Sequence, residues 1–277
     1  MKPGAVRLAV ADLEGTRAFY ERTIGLRPSE PRGEATPLAA NGTTVVELVP
    51  SPDAPPRPAG TTGLFHLAIL VPSRLELARS LRRVVQSGWS LTGASDHLVS
   101  EALYLSDPEG NGIEVYRDRP REEWRHANGE LQMSTLPLDV QSLAAELGDS
   151  GEGESGIAAG TRIGHIHLNV ANLDKAERFY HAALGFDVTV RGYPGALFVA
   201  SGGYHHHVGL NTWAGEGAPA PPPGSRGLVR FELVADDEAE LERVERGLAE
   251  AGVEATRVAE GIEAADPSGN HVLLRSG

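Results

Sequence analysis

Hydrophobic and polar positions alternate along the chain with two periods, and the same order of periods recurs. Apolar residues at every second position, such as Val6, Leu8 and Val10, predict a strand. A stretch with apolar residues at helical spacing then predicts a helix that ends near a glycine, as in the set Ala176, Phe179, Tyr180 and Leu184. Shorter strand-like segments between Gly, Asn and Pro turns follow. This order is typical of a βαβββ unit.

The unit occurs four times, as two pairs of similar segments. The segment VRLAVADLEG that begins at Val6 matches IHLNVANLDK that begins at Ile166, with an offset of 160 residues. The segments that begin at Gly63 and Gly227 match more faintly, with an offset of 164. Internal repeats of this kind indicate one supersecondary unit used several times. We predict four modules, at about 1–58, 59–117, 160–218 and 225–277.

The modules indicate an α+β fold class. We expect modules one and two to form a domain over residues 1–117, and modules three and four to form a second domain over 160–277. Residues 118–159 would link them, with a short helix in LDVQSLAAEL. The end of this linker, GDSGEGESGIAAG, is rich in Gly, Ser and Glu, the composition of a flexible connection.

Composition narrows the function classes. The formal charge is −13 with no basic run, which argues against nucleic acid and anionic membranes as partners. The chain has no cysteine, so disulfides, zinc–thiolate sites and cysteine nucleophiles are excluded. The first residues lack a long apolar stretch, and we expect a cytoplasmic protein. The oligomeric state is left open, with a homo-oligomer among the options.

A hairpin can be placed around the motif DPEGN, which begins at Asp107 and has a counterpart in DPSGN at Asp266. Pro, Gly and Asn at these positions favour a tight turn. A hairpin centred on residue 109 sets Tyr104 directly across from Glu114, on the same face of the sheet. A cross-strand aromatic packing role is the alternative for Tyr104.

The motifs SDHLVSEALYLSDPEGNGIEVY and GGYHHHVGLNTW, in a chain of four such modules, resemble the vicinal oxygen chelate superfamily. That superfamily includes glyoxalase I, bleomycin-resistance proteins and type I extradiol dioxygenases. Within it the chain most resembles the CatE-like group of catechol 2,3-dioxygenases, over nearly its whole length outside the linkers. The resemblance implies the glyoxalase-like fold, with curled mixed sheets around clefts and metal ligands on the first and last strands of modules.

The resemblance also implies where those ligands fall. A first-strand ligand stands seven residues before the polar residue that opens the helix. Counting back in modules one to four gives, in order, Ala5, His66, His165 and Arg230. The last-strand position is Glu114 in module two and Leu273 in module four. If modules paired in chain order, one with two and three with four, neither cleft would hold two histidines and a carboxylate. We therefore hypothesise that module two pairs with module three, so that His66, Glu114 and His165 meet, and that module one pairs with module four in a cleft without ligands.

Other residues acquire roles from the same resemblance. Extradiol enzymes have a tyrosine ten residues before the ligand carboxylate that contacts a substrate oxygen, which corresponds to Tyr104. His97 matches a residue that lines the pocket for substrate and oxygen. The triplet His205–His207 is predicted to lie in a strand, where His205 and His207 share one face. The family register selects His207 as the acid–base catalyst, since an imidazole titrates near neutrality. The roles of His167, His205, His206 and Arg230 stay open.

Together these assignments imply a catechol-cleaving extradiol dioxygenase that uses O₂ at a two-histidine, one-carboxylate Fe(II) site. Mn(II) or another divalent metal is an alternative cofactor. Two other functions stay open: a glyoxalase-like lyase or isomerase with a different metal, and a non-catalytic small-molecule binding protein of the bleomycin-resistance kind. A binding protein has no need of three ligands in register, and a lyase would favour a fourth protein ligand.

Overall fold

The computed structural model describes residues 1–127, 130–148 and 156–277. Part of the predicted flexible linker, residues 149–155, lies outside this range. The helices are α1 (Leu13–Phe19), α2 (Arg74–Ser87), α3 (Val140–Ala145), α4 (Leu173–Glu177) and α5 (Glu238–Glu250). A short 3₁₀ turn spans Arg121–Glu123, and π-helical turns over Tyr20–Ile24 and Arg178–Ala183 extend α1 and α4.

The strands, in chain order, are β1 (Lys2–Val10), β2 (Arg27–Pro28), β3 (Thr36–Ala40), β4 (Thr43–Pro50), β5 (Gly63–Leu70), β6 (Gly93–Asp96), β7 (Ser100–Ser106), β8 (Gly112–Asp118), β9 (His126–Ala127), β10 (Glu130–Leu131), β11 (Leu136–Pro137), β12 (Arg162–Asn169), β13 (Asp187–Val190), β14 (Ala196–Ala200), β15 (Val208–Asn211), β16 (Gly227–Ala235), β17 (Ala255–Val258), β18 (Gly261–Ala265) and β19 (His271–Ser276).

The four predicted βαβββ modules are confirmed by this order of elements. Module one is β1–α1–β2–β3–β4 and module two is β5–α2–β6–β7–β8. Module three is β12–α4–β13–β14–β15 and module four is β16–α5–β17–β18–β19. The short strands β9–β11 and helix α3 lie between modules two and three, and α3 falls inside the predicted helical segment.

The chain divides into two compact units. The first contains Met1–Ala9, Asp53–Phe65 and Gly164–Gly277. Its strands follow the orders β17-β18-β19-β16-β1 and β12-β15-β14-β13. The second contains Val10–Pro52 and His66–Ile163, with the strand orders β11-β6-β7-β8-β5 and β4-β3-β2. The domain boundaries at 1–117 and 160–277 stay a prediction.

Both units contain mixed sheets, as the α+β class predicts. In the second unit β5 runs parallel to β8, whereas β8 is antiparallel to β7. In the first unit β12 is parallel to β15 and β16 is parallel to β19. The alternating residues Val6, Leu8 and Val10 that predicted β1 are fully buried. Burial of apolar residues on one side of each strand is the main force that fixes its register.

The helix of each of the four modules begins at a side-chain cap. Asp12, Ser73, Asn172 and Asp237 each accept a hydrogen bond from the backbone N–H three residues later. Such caps satisfy an N–H group that has no partner inside the helix. These are the four residues from which the ligand positions were counted, so the starting points of that count are confirmed.

The π-helical turns were not predicted. In module one the N–H of Gly25 bonds the carbonyl of Tyr20, and in module three the N–H of Leu184 bonds the carbonyl of Phe179. These are bonds between residues five apart, whereas the apolar spacing in the sequence is that of an ordinary helix. Buried Tyr20 and Tyr180, which match in the repeat at the offset of 160, lie in these two turns. The repeat therefore includes the irregular turn.

No helix in the described ranges is long and apolar enough to cross a membrane.

Candidate active site

The three residues chosen as metal ligands come together. His66 lies on β5, Glu114 on β8 and His165 on β12, and all three are buried. Their ligand atoms lie within 4.8 Å of one another. The hypothesis that module two pairs with module three required this convergence.

In the first unit the first strands of modules one and four pair with each other, as the hypothesised pairing of these modules requires. Strand β1 pairs antiparallel with β16, with Val6 opposite Phe231 and Arg7 opposite Arg230. Of the four positions in modules one and four that correspond to ligands, three lack a ligand side chain and the fourth, Glu47, pairs with Arg32. Arg230 binds Glu260 and Glu263, Leu273 is fully buried, and Ala5 has no donor side chain. In the chain as described, the His66, Glu114 and His165 group is the one set of three or more His, Asp or Glu side chains close enough for a shared ion.

The geometry of His66 and Glu114 fits a metal ion. The Nε2 atom of His66 and the Oε2 atom of Glu114 are 3.0 Å apart. Two neighbouring ligands at about 2.1 Å from one ion, at a right angle, stand about 3 Å apart. Strand register explains the contact, because β5 runs parallel to β8 with Ala68 opposite Glu114 and His66 two residues earlier on the same face. Two imidazoles and a carboxylate suit Fe(II), Mn(II) and similar divalent ions.

The hairpin prediction is confirmed. Tyr104 on β7 is directly opposite Glu114 on β8, as the centre of the DPEGN turn required. Asp107 holds the turn by accepting hydrogen bonds from the backbone N–H groups of Glu109 and Asn111. The ring of Tyr104 also lies 5.7 Å from the ring of His66, centre to centre. Tyr104 therefore adjoins both ligands of the second unit.

His97 holds the Tyr104 hydroxyl. The Nε2 atom of His97 is 2.6 Å from that hydroxyl, and its Nδ1 atom is 2.7 Å from the carbonyl oxygen of Ser134. A carbonyl can only accept, so Nδ1 carries the proton and Nε2 accepts from the tyrosine. Leu98, beside His97, has a φ of 69°, a conformation that costs a non-glycine residue about 1 kcal/mol. The loop is thus strained where it presents the imidazole.

Sequence analysis missed Ser134. Its carbonyl lies 37 residues beyond His97 in the chain, in the connection after β10. A backbone acceptor leaves no signal in the type of the residue, so no sequence pattern points to it.

The histidine triplet differs from its predicted conformation. Residues 204–207 are irregular, and β15 begins only at Val208, so the strand prediction for His205–His207 is wrong. Alternation of faces therefore does not apply there. All three side chains are buried, and the Nδ1 atoms of His205 and His206 are 2.8 Å apart. His205 and His206 are thus in polar contact within an irregular segment that precedes β15.

The histidines of the triplet have different neighbours. The ring of His206 packs against the ring of His165, 4.1 Å between centres, and the ring of His205 lies 6.1 Å from it. The ring of His207 stacks on Tyr204 at 4.8 Å, and its Nδ1 atom accepts from the backbone N–H of Ser201. Burial lowers the pKa of His207 to about 3, and nearby His205 adds to the effect. His207 is therefore neutral at pH 7.

The profile of the Glyoxalase/Bleomycin resistance protein/Dioxygenase superfamily matches residues 2–115 and 162–274. The chain belongs to this superfamily. A catechol-2,3-dioxygenase from Bacillus subtilis (strain 168) is 41% identical to it over 277 residues, which cover 98% of this chain and 96% of the relative. The family resemblance seen in the sequence is confirmed.

Solved structures show the same fold. A candidate dioxygenase from Bacillus subtilis subsp. subtilis str. 168 superposes with a TM-score of 0.68 at 14% identity, covering 100% of this chain and 85% of the other. Glyoxalase I from Zea mays superposes with a TM-score of 0.58 at 16% identity, covering 99% and 91%. At such identities the likeness concerns the fold. It confirms the glyoxalase-like class with curled mixed sheets.

Proposed function

We propose that this superfamily member is an extradiol dioxygenase that cleaves a catechol-type diol with O₂, using Fe(II) held by His66, Glu114 and His165. The observation that carries the proposal is the convergence of three buried ligand atoms within 4.8 Å, at positions chosen by counting along the repeat. The 41% identical relative, a catechol-2,3-dioxygenase, supports the same reaction class.

Three protein ligands leave further positions open on an Fe(II) ion, where it would bind both diol oxygens and O₂ side by side. The rest of the work falls to the side chains around it. Tyr104, opposite Glu114, is proposed to hydrogen-bond a diol oxygen through its phenolic oxygen. His97 bonds that hydroxyl and sets its direction, and we propose that it lines the substrate pocket together with Tyr104. Fixing the phenolic oxygen beforehand as an acceptor lowers the cost of reaching the reactive geometry.

The acid–base step is proposed for the histidine triplet. His207 is the residue that the family register selects. His206 is a second candidate, because its ring is the one that packs against His165 at 4.1 Å. The residue that acts must take the proton of the diol and later return one to the cleaved product. A pKa near the working pH favours this exchange, whereas burial lowers the pKa of His207 to about 3 and makes it a weak base at pH 7, which is an argument for His206.

The test is an aerobic assay of anaerobically purified protein loaded with Fe(II), Mn(II), Ni(II) or Zn(II). With a panel of catechols we expect one O₂ consumed per ring opened and a yellow semialdehyde product, with Fe(II) as the active metal. His165→Ala should lose ring opening and metal together. Turnover of a hemithioacetal without O₂ uptake would instead indicate a glyoxalase-like lyase. Protein that binds a catechol tightly but takes up no metal would indicate a binding protein.

A further inference from the structure

Three aromatic side chains of the first unit form a cluster that we name the aromatic platform: Phe65, His167 and Trp213. The ring of Phe65 lies 5.1 Å from the ring of His167 and 5.1 Å from that of Trp213, centre to centre. The rings of His167 and Trp213 are 5.2 Å apart. All three pairs are tilted or edge-on, the arrangement that aromatic pairs prefer.

The platform is open to solvent on one side. Phe65 is 40% exposed and Trp213 is 46% exposed, whereas His167 is buried beneath them. One exposed apolar residue is ordinary on a protein surface. Two large exposed rings in mutual contact make a continuous apolar surface, which is typical of a ligand-binding area.

A line of ring contacts joins the platform to the ligand His165. His167 lies two residues after His165 on β12, hence on the same face of the strand. Phe198 lies 5.7 Å from His167 and 4.9 Å from His206, ring to ring. His206 in turn packs on His165 at 4.1 Å. The platform is therefore continuous with the wall beside a proposed metal ligand.

The chain holds the platform in place. The indole N–H of Trp213 donates to the carbonyl of Pro194 at 3.1 Å, and its backbone N–H donates to Asn211. Two glycines, Gly209 and Gly195, leave room for the rings of His167 and Trp213. A Cβ atom on Gly209 would stand 3.0 Å from the ring of His167, and one on Gly195 would stand 3.1 Å from the indole nitrogen. The rings are thus fixed in direction although two are exposed, which lowers the entropic cost of binding a ligand on them.

We propose that the aromatic platform is a specificity subsite that receives an apolar planar substituent of the diol. The substrate class is then aryl-substituted catechols in preference to catechol itself. The inference rests on the proposed function, since it assigns the substituent of that substrate. The platform carries no carboxylate, ammonium or guanidinium group, so its chemistry suits an apolar substituent and not a charged one.

The experiment compares a phenyl-substituted catechol with unsubstituted catechol. For Trp213→Ala and for Phe65→Leu we expect kcat/KM for the phenyl catechol to fall about fivefold to tenfold, mostly through KM. Catechol should change by less than about twofold. The matched control is Trp89→Ala. Trp89 is also exposed, at 37%, and its indole also donates to a backbone carbonyl, that of Ser106, but it belongs to the second unit.

Two results would overturn the inference: equal losses for both substrates, or no loss for either. Phe65→Leu keeps an apolar side chain, so it remains informative if Trp213→Ala fails to fold. Anaerobic calorimetry of the phenyl catechol separates this inference from the proposed function. If no diol is cleaved but the phenyl catechol binds the wild type and binds Trp213→Ala about fivefold more weakly, the platform stands and the dioxygenase falls. If the diol is cleaved but the variants bind the phenyl catechol as tightly as the wild type does, the dioxygenase stands and the platform inference is wrong.

Discussion

His66 and Glu114 are buried side chains with 3.0 Å between Nε2 and Oε2. Burying a carboxylate is costly unless a partner compensates it. A divalent ion would be a stronger partner than one imidazole, since it would also engage His165. The separation of Nε2 and Oε2 fits two ligands of one ion.

Tyr104 shows how one residue acquires a function from its partners. Its hydroxyl donates to His97, whose other ring nitrogen is held by the Ser134 carbonyl. This chain of bonds fixes the tautomer of the imidazole and the direction of the phenol. The tyrosine position could be predicted from the symmetry of the hairpin. The bond to Ser134 could not, because it depends on how the connection after β10 folds back.

His207 predicts a measurable pH dependence of stability. Its pKa is lowered to about 3 in the folded protein, mainly because burial disfavours the charged ring. In the unfolded chain an imidazole titrates near pH 6.5. As pH falls below that value the unfolded state binds the proton first, so the free energy of unfolding decreases by up to about 1.4 kcal/mol per pH unit until pH nears 3.

The measurement is urea unfolding of metal-free protein between pH 7 and pH 4, compared with His207→Gln. Glutamine does not titrate, so the variant should lose less stability per pH unit below about 6.5. All other groups are common to the two proteins and cancel in the difference. Parallel profiles would show that His207 does not titrate as its burial requires.

At the scale of elements, the same tyrosine–aspartate hydrogen bond occurs twice, once in each unit. The hydroxyl of Tyr20 donates to Asp107 at 3.2 Å in the second unit, and that of Tyr180 donates to Asp266 at 3.0 Å in the first. All four residues are buried, and burial raises the pKa of both carboxyl groups. Each tyrosine thus joins a π-helical turn to the hairpin of the module that follows in the chain.

Tyr20→Phe and Tyr180→Phe should destabilise the protein by similar amounts, about 1–3 kcal/mol each, because each leaves a buried acceptor short of one donor. Their effects on activity should differ. Asp107 closes the hairpin that carries Tyr104 and Glu114, whereas Asp266 closes the hairpin that ends at Leu273. Urea unfolding and ring-cleavage rates check both statements. Equal losses of rate in the two variants would contradict the assignment of a single active hairpin.

Elements also show where sequence reasoning stops. The four helix caps and the DPEGN hairpin were predictable because each depends on a few neighbouring residue types. The π-helical turns and the irregular conformation of His205–His207 were not, because they depend on packing with distant segments. Three identical residues in a row show no alternation of apolar and polar positions. The sequence therefore could not indicate which histidine faces the site.

At the scale of the whole molecule, four copies of one module support a single ligand set. At the first-strand position, modules one and four have Ala5 and Arg230, where modules two and three have His66 and His165. At the last-strand position, module four has Leu273, where module two has Glu114. Modules two and three alone hold a histidine at the first-strand position, which made the active pair predictable, since one way of pairing modules gathers two histidines and a carboxylate. The exposed rings of Phe65 and Trp213 were unpredictable, because exposure depends on the folded surface.

The most direct test of the account is the number of Fe(II) ions that bind per chain in an anaerobic titration of metal-free protein. The wild type should bind one ion. His165→Ala should bind none at the same concentrations, because two ligands then remain in place of three. His271→Ala, which removes an exposed histidine of β19, is the matched control and should bind one. Retention of a full equivalent by His165→Ala would contradict the account, since His66, Glu114 and His165 would then not share an ion.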